Sequence, residues 1–158
     1  MRIYFLILLV VLANACAPNR SEHNEDINRS QLHGLDTASI AMSADLYYKT
    51  NRYDNALREY TSLLEVDSMR GLFLYRKAFC LAQLDQTHEA IQYYERTLQM
   101  KYREFDCYYS IGVLYAGTVE NDSLAILYHE KSLAIRPESE QAISLLKSLK
   151  DASSEIRL

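Results

Sequence analysis

The sequence predicts an all-α protein, a solenoid of three helix hairpins closed by a C-terminal capping helix. Three observations point there. Of 158 residues only 4 are Gly and 2 are Pro while 49% are apolar, so long helices with short connections fit better than strands and turns. A five-residue block recurs at near-constant spacing: Ala56-Leu57-Arg58-Glu59-Tyr60 returns 34 residues on as Ala90-Ile91-Gln92-Tyr93-Tyr94, and 35 further on as Ala125-Ile126-Leu127-Tyr128-His129. Each alanine is preceded by an anchor ring or leucine (Tyr47, Leu81, Tyr115) and followed by a leucine (Leu64, Leu98, Leu133). Self-similarity at this period is the mark of stacked helical hairpins.

In chain order, Met1-Arg2 begins a charged start and residues 3–13 are an unbroken apolar run. As a helix that run is roughly 17 Å long against a bilayer core of about 30 Å, so it suits a signal-peptide core rather than a membrane span. Residues 1–15 are therefore read as a signal peptide. Leu12-Ala13-Asn14-Ala15-Cys16 resembles the bacterial lipobox, which implies that Cys16 becomes a diacylated N-terminus. Two acyl chains plus an N-acyl group would hold the membrane at about 0.8 kcal/mol per buried methylene. Ala13 stands where that motif prefers Leu, and Ala13-Asn14-Ala15 also satisfies the ordinary small-x-small rule for a secreted or periplasmic soluble protein. Ala17 after the cysteine carries no inner-membrane retention signal, which by the resemblance implies the outer membrane. Residues 16–35 are polar, without sustained apolar period, and read as a flexible tether.

Helices are expected over 37–50, 54–66, 71–84, 87–100, 105–117 and 122–135, with Asp54, Thr87 and Asp122 as candidate caps. After Pro137, residues 138–150 place Ile143, Leu146 and Leu149 on one face, a half-polar capping helix of the kind a solenoid end needs. The repeat domain is thus residues 36–150, and residues 151–158 read as a tail.

The third copy, Tyr108-x2-Ile111-Gly112-x2-Tyr115, then Ala125, then Pro137, resembles the tetratricopeptide repeat (TPR). The second, Leu74-x2-Lys77-Ala78-x2-Leu81 then Ala90-x3-Tyr94, and the first, Ile40-x2-Ser43-Ala44-x2-Tyr47 then Ala56-x3-Tyr60, are similar to it. Ser68 and Tyr102 stand in place of the closing Pro, and Lys77 in place of an apolar residue. The resemblance implies a right-handed α-solenoid whose first helices line a concave, partner-binding groove. It puts there Ala38, Ala41, Asp45, Tyr48 and Lys49, then Leu72, Tyr75, Phe79, Ala82 and Gln83, then Asp106, Tyr109, Val113, Ala116 and Gly117. Independently of the family, Leu72, Tyr75 and Phe79 share one helix face while Leu74, Ala78 and Leu81 share another, so this helix is apolar nearly all round. Such a helix is buried on several sides or binds something. Tyr48, Leu72, Tyr75, Phe79, Tyr109 and Val113 are therefore expected to form an aromatic groove for a protein or peptide partner, since rings give large contact area with little entropy lost. The alternative is that they fill the interior. The Lys and Asn clamp of TPR domains that grip chaperone C-termini is missing: those positions hold Ala41 and Asp45, Tyr75 and Phe79, Tyr109 and Val113.

Net charge is -4, and removal of Arg2 leaves -5. Charges are interspersed without a basic run, which argues against nucleic-acid binding. Neither His88-Glu89 nor His129-Glu130 has the second His four positions on that a zinc helix requires. There is no Gly-rich phosphate loop and no nucleophile elbow, so no cofactor, metal or catalysis is expected. Cys80 and Cys107 read as packing thiols. Asp36-Thr37-Ala38, Asp67-Ser68-Met69 and Asp122-Ser123-Leu124 resemble bacterial O-glycosylation sites, and helix capping explains them equally. The functional expectation is a non-catalytic adaptor of the cell envelope, anchored through Cys16. Self-association into a homo-oligomeric structural subunit and carbohydrate binding are the alternatives.

Overall fold

A computed structural model describes residues 36–117 and 122–155. The signal peptide, Cys16 and the tether lie outside the described residues, as does most of the segment that holds the extra residue of the third repeat. The chain divides into two units, Met1–Ala38 and Ser39–Leu158; the second holds the repeats. Among the described residues every regular element is helical: α1 (36–49), α2 (Tyr53–Val66), α3 (Gly71–Gln83), α4 (Thr87–Gln99), α5 (Glu104–Ala116), α6 (Asp122–Ile135) and α7 (Glu140–Glu155). From α2 onward each helix packs against the next. None of these helices is long and apolar enough to cross a membrane.

The first two hairpin turns are the same device built twice. Arg52 N–H donates to Tyr47 C=O and Gln86 N–H to Leu81 C=O, both at 2.9 Å. Asn51 and Asp85 take the left-handed φ of 58° and 59° that closes each helix. Asn and Asp tolerate that region because a short polar side chain can bond locally. Gly serves this role in many proteins, and so few glycines suffice here.

Two expectations about helix ends are corrected. Asp54 and Thr87 do not cap: the caps are Arg52 and Gln86, without side-chain cap bonds. Asp54 instead lies within the first turn of α2, where a carboxylate favours the helix dipole. α7 begins at Glu140 rather than 138, and the oxygen that the Ala142 N–H reaches is the hydroxyl of Ser139, at 3.5 Å. The helix runs on to Glu155, into the expected tail, because residues 138–158 contain neither Gly nor Pro to stop it.

The recurrent small residues lie between paired helices. Ala44, Ala56, Ala78, Ala90 and Ala125 are fully buried. At Gly112 a Cβ would come within 2.8–3.0 Å of the His129 ring, so only glycine allows α5 and α6 this approach. Gly71 is equally tight, a Cβ there meeting Tyr102 Cβ at 2.6 Å. Two apolar clusters fill the core, one around Tyr60, Leu63 and Phe73, the next around Tyr94, Ile91 and Ile111. Lys77, out of place by pattern, is buried with its ammonium 4.4 Å from the Tyr93 ring centroid, where the ring face replaces part of its hydration.

The capping stripe is rotated from the one the sequence suggested. Ala142 is fully buried and Leu145, Leu146 and Leu149 are half-buried, but Ile143 remains 46% exposed. Ala142 stands 35 residues after Cys107, and Cys107 stands 34 after Phe73. α7 therefore stands in the register of the first helix of a hairpin, with Ile143 on its exposed side.

Candidate functional site

The inner wall is built from α1, α3 and α5, the first helix of each hairpin. The anchor at its centre is Phe79, whose ring is tilted on Tyr48 at 5.3 Å and edge-on to Tyr53 at 5.9 Å. On its other side Phe79 lines a cavity of about 320 Å³ with Ala82, Gln83, Tyr94, Tyr109, Ser110, Val113 and Leu114. The α3 and α5 residues recur at spacings of three and four, which puts them on facing helical stripes. Val113 is 41% exposed, so the cavity is accessible rather than sealed. Most of its wall is hydrocarbon or ring, with the Gln83 amide and the Ser110 hydroxyl as its neutral polar points besides the two tyrosines.

The structure thus brings together Phe79, Tyr109 and Val113 of the six residues singled out from sequence. Tyr48 borders them across the Phe79 ring. Leu72 and Tyr75 are displaced from the expected groove. Leu72 is half-buried against the first core cluster. Tyr75 is only 7% exposed, edge-on to Tyr94 at 5.7 Å and to Tyr102 at 6.4 Å, with the Arg103 guanidinium 4.6 Å above it. Burial raises its hydroxyl to about 12. The reason is packing: Tyr75 fills the space between hairpins, so the interior reading holds for it. Tyr94, Ser110 and Leu114 were absent from the sequence-based set. Tyr94 was legible only as a repeat anchor, and its share in the cavity wall follows from how α4 leans between α3 and α5.

Two arginines near this wall are already paired. Arg76 forms an ion pair with Asp45 and donates to the Tyr60 hydroxyl at 3.1 Å, while that hydroxyl donates to Asp45 at 3.0 Å. The same guanidinium lies 5.2 Å from the Tyr48 centroid. Arg103 donates to Asp106 at 2.7 Å. Burial raises the Tyr48 and Tyr60 hydroxyls above their ordinary range, so both remain neutral donors near pH 7. Cys80 and Cys107 are free, buried thiols that burial pushes up to about 12, which leaves them protonated and unreactive.

An all-α helical-repeat solenoid with an accessible inner wall is the class of protein that these elements define. Residues 73–102 match the model of the tetratricopeptide repeat, the segment from early α3 to the close of the second hairpin. No curated protein matches the chain. Among solved structures, the first TPR of Spaghetti (RPAP3) bound to the HSP90 peptide SRMEEVD is similar at 18% identity and a TM-score of 0.67, covering 75% of this chain and 93% of that one. The Arabidopsis OM64 TPR domain is similar at 16% identity and a TM-score of 0.66, over 73% and 95% of the two chains. The Yersinia enterocolitica type III secretion translocator chaperone SycD is similar at 16% identity and 0.67, over 74% and 93%. At such identities the likeness is one of fold.

Proposed function

We propose that this chain is a non-catalytic adaptor whose α3–α5 wall holds an apolar or aromatic segment of a protein partner, and that it is anchored in the cell envelope through an acylated Cys16. The observation that carries the first part is the open cavity at Phe79, Tyr109 and Val113, beside two arginines that are neutralised within the chain. A wall of this kind desolvates hydrocarbon at little electrostatic cost. One structural neighbour is a TPR domain with a peptide bound, which supports the same use of the fold. Here the chemistry of the side chains favours apolar side chains over a carboxylate. The anchor rests on the sequence of residues 1–16, and the outer membrane is the proposed location.

The test is an immobilised array of peptides graded in aromatic and charge content, probed with residues 17–158. Aromatic, uncharged peptides are expected to bind, and Val113→Asp together with Phe79→Ala to reduce binding at least tenfold with helical circular dichroism retained. Tyr75→Ala is unsuitable for this purpose because it opens the core. Preference for acidic peptides, or binding indifferent to both substitutions, would refute the reading. For the anchor, metabolic labelling with an alkynyl fatty acid is expected to mark the wild type and to miss Cys16→Ser; label on both would remove Cys16 from the account.

A further inference from the structure

The three hairpins allow one surface to be judged by its own copies. In the second hairpin, Phe73, Arg76 and Cys80 of α3 form the face that meets the preceding α2. Phe73 lies 6.2 Å from the Tyr60 ring, Arg76 bonds its hydroxyl at 3.1 Å, and Cys80 is fully buried beside it. In the third, 34 residues on, Cys107, Ser110 and Leu114 of α5 meet α4 in the same way around Tyr94. Each face meets the second helix of the hairpin before, a helix that brings a buried ring and, four residues on, a leucine: Tyr60 and Leu64, then Tyr94 and Leu98. The equivalent face of α1 is Ser39, Met42 and Leu46, 34 residues before the second set. It is open: Met42 is 75% and Leu46 60% exposed, where Cys80 is 0%.

Two occupants are poorly matched. The chain upstream of α1 is long enough to supply a helix, but 34 residues before Ala56, Tyr60 and Leu64 stand Glu22, Asp26 and Ser30. That segment carries neither the small residue, nor the ring, nor the leucine that fill the other two faces. Among the described residues a second copy has no spare helix of the right kind either, since the equivalent faces of α2, α4 and α6 are covered by α3, α5 and α7. Two α1 faces pressed together would bring two apolar side chains from each copy and no ring.

We infer that the Ser39–Met42–Leu46 face of α1 accepts an amphipathic helix from a different protein, one carrying an aromatic residue and a leucine four positions apart. Such a helix continues the stack by one element, as α2 and α4 do within it. The surface is separate from the cavity at Phe79, and a partner at one leaves the other free.

The experiment uses a stapled peptide copying residues 87–99, the helix that fills the equivalent face of α5, added to 13C-methyl-labelled protein of residues 17–158. Shifts are expected at the Met42 and Leu46 methyls with the Val113 methyls unmoved, and Leu46→Glu should weaken binding at least tenfold with helicity unchanged. Silence at Met42 and Leu46 at millimolar peptide would overturn the inference, as would shifts centred on Val113. Cross-relaxation between Met42 and residues 17–35 in the free protein would overturn it in favour of the chain's own segment. Concentration-dependent dimerisation abolished by Leu46→Glu would do so in favour of a second copy. None of these outcomes bears on the aromatic-peptide test of the inner wall.

Discussion

Between α3 and α4 the ring that stands against the neighbouring helix is Tyr94; between α5 and α6 the same position, 35 residues on, is His129. Both rings are buried to within 1%, yet they are closed differently. The Tyr94 hydroxyl is hydrogen-bonded with Ser110 of α5, and Tyr60, one repeat earlier, joins Asp45 and Arg76. Both ring nitrogens of His129 lack a hydrogen-bond partner among the described residues; the ring lies edge-on to Tyr109 at 5.5 Å and stands where a Cβ on Gly112 would go. A shared period therefore does not mean shared energetics. A tyrosine reaches the next helix with its hydroxyl, whereas the shorter imidazole leaves a desolvated polar group inside. The third hairpin is therefore expected to gain less from its central ring, which stands beside the cavity residue Tyr109.

Three measurements sharpen or break this contrast. The largest loss is expected for Tyr94→Ala, about 3–5 kcal/mol for a buried aromatic, whereas Tyr94→Phe should cost about 1 kcal/mol for the hydroxyl alone. Urea denaturation reads both, and a neutral Tyr94→Phe would erase the difference between the hairpins. Next, Gly112→Ala should destabilise by about 1–3 kcal/mol, as overpacking does, because the His129 ring stands where the Cβ would go. An unchanged Tm there would mean that the ring yields and the third hairpin has slack. The smallest effect is the one set by pH.

Burial alone lowers the His129 pKa from 6.5, so the unfolded chain takes up a proton at that residue before the folded chain does. The stability this residue contributes is present above about pH 6.5 and falls as pH drops through the lower folded value. Among the described residues no neighbour offsets the charge. Within α6 itself, Glu130 pairs outward with Lys150 of α7 and Lys131 covers Tyr128. Arg136, in the link to α7, lies over Phe105 of α5, and Lys147 and Glu140 of α7 are exposed. Denaturation midpoints between pH 7.5 and 5.5 should decline for the wild type and decline less for His129→Phe. Equal slopes would show that the ring does not govern this range.

Much of the fold was legible because it is periodic. Ala44, Ala78, Ala56, Ala90 and Ala125 announced themselves by recurrence, and helix bounds follow within about a residue through α6 because packed faces and turn chemistry agree. The candidate site was legible in part. Spacing grouped Leu72, Tyr75 and Phe79 on one helix face, and a face about 100° wide can be shared between two neighbours. Which of its residues meets another helix and which meets solvent depends on the rotation of α3 between α2, α4 and α5, and no single-helix pattern contains that angle. For the same reason Ile143, apolar and in phase, proved to be exposed.

By itself the sequence determined that helices form, where they turn and which small residues let them approach, since each of these is a matter of local chemistry and of spacing along one chain. The tertiary structure alone decided that Tyr75 is interior, that Phe79, Tyr109 and Val113 converge with Tyr94 on one cavity, and that Arg76 and Arg103 are neutralised by Asp45 and Asp106. It also decided that the His129 ring nitrogens have no hydrogen-bond partner among the described residues. Those facts depend on distances between residues far apart in the chain, set when several helices settle on a common packing that satisfies all of their faces at once.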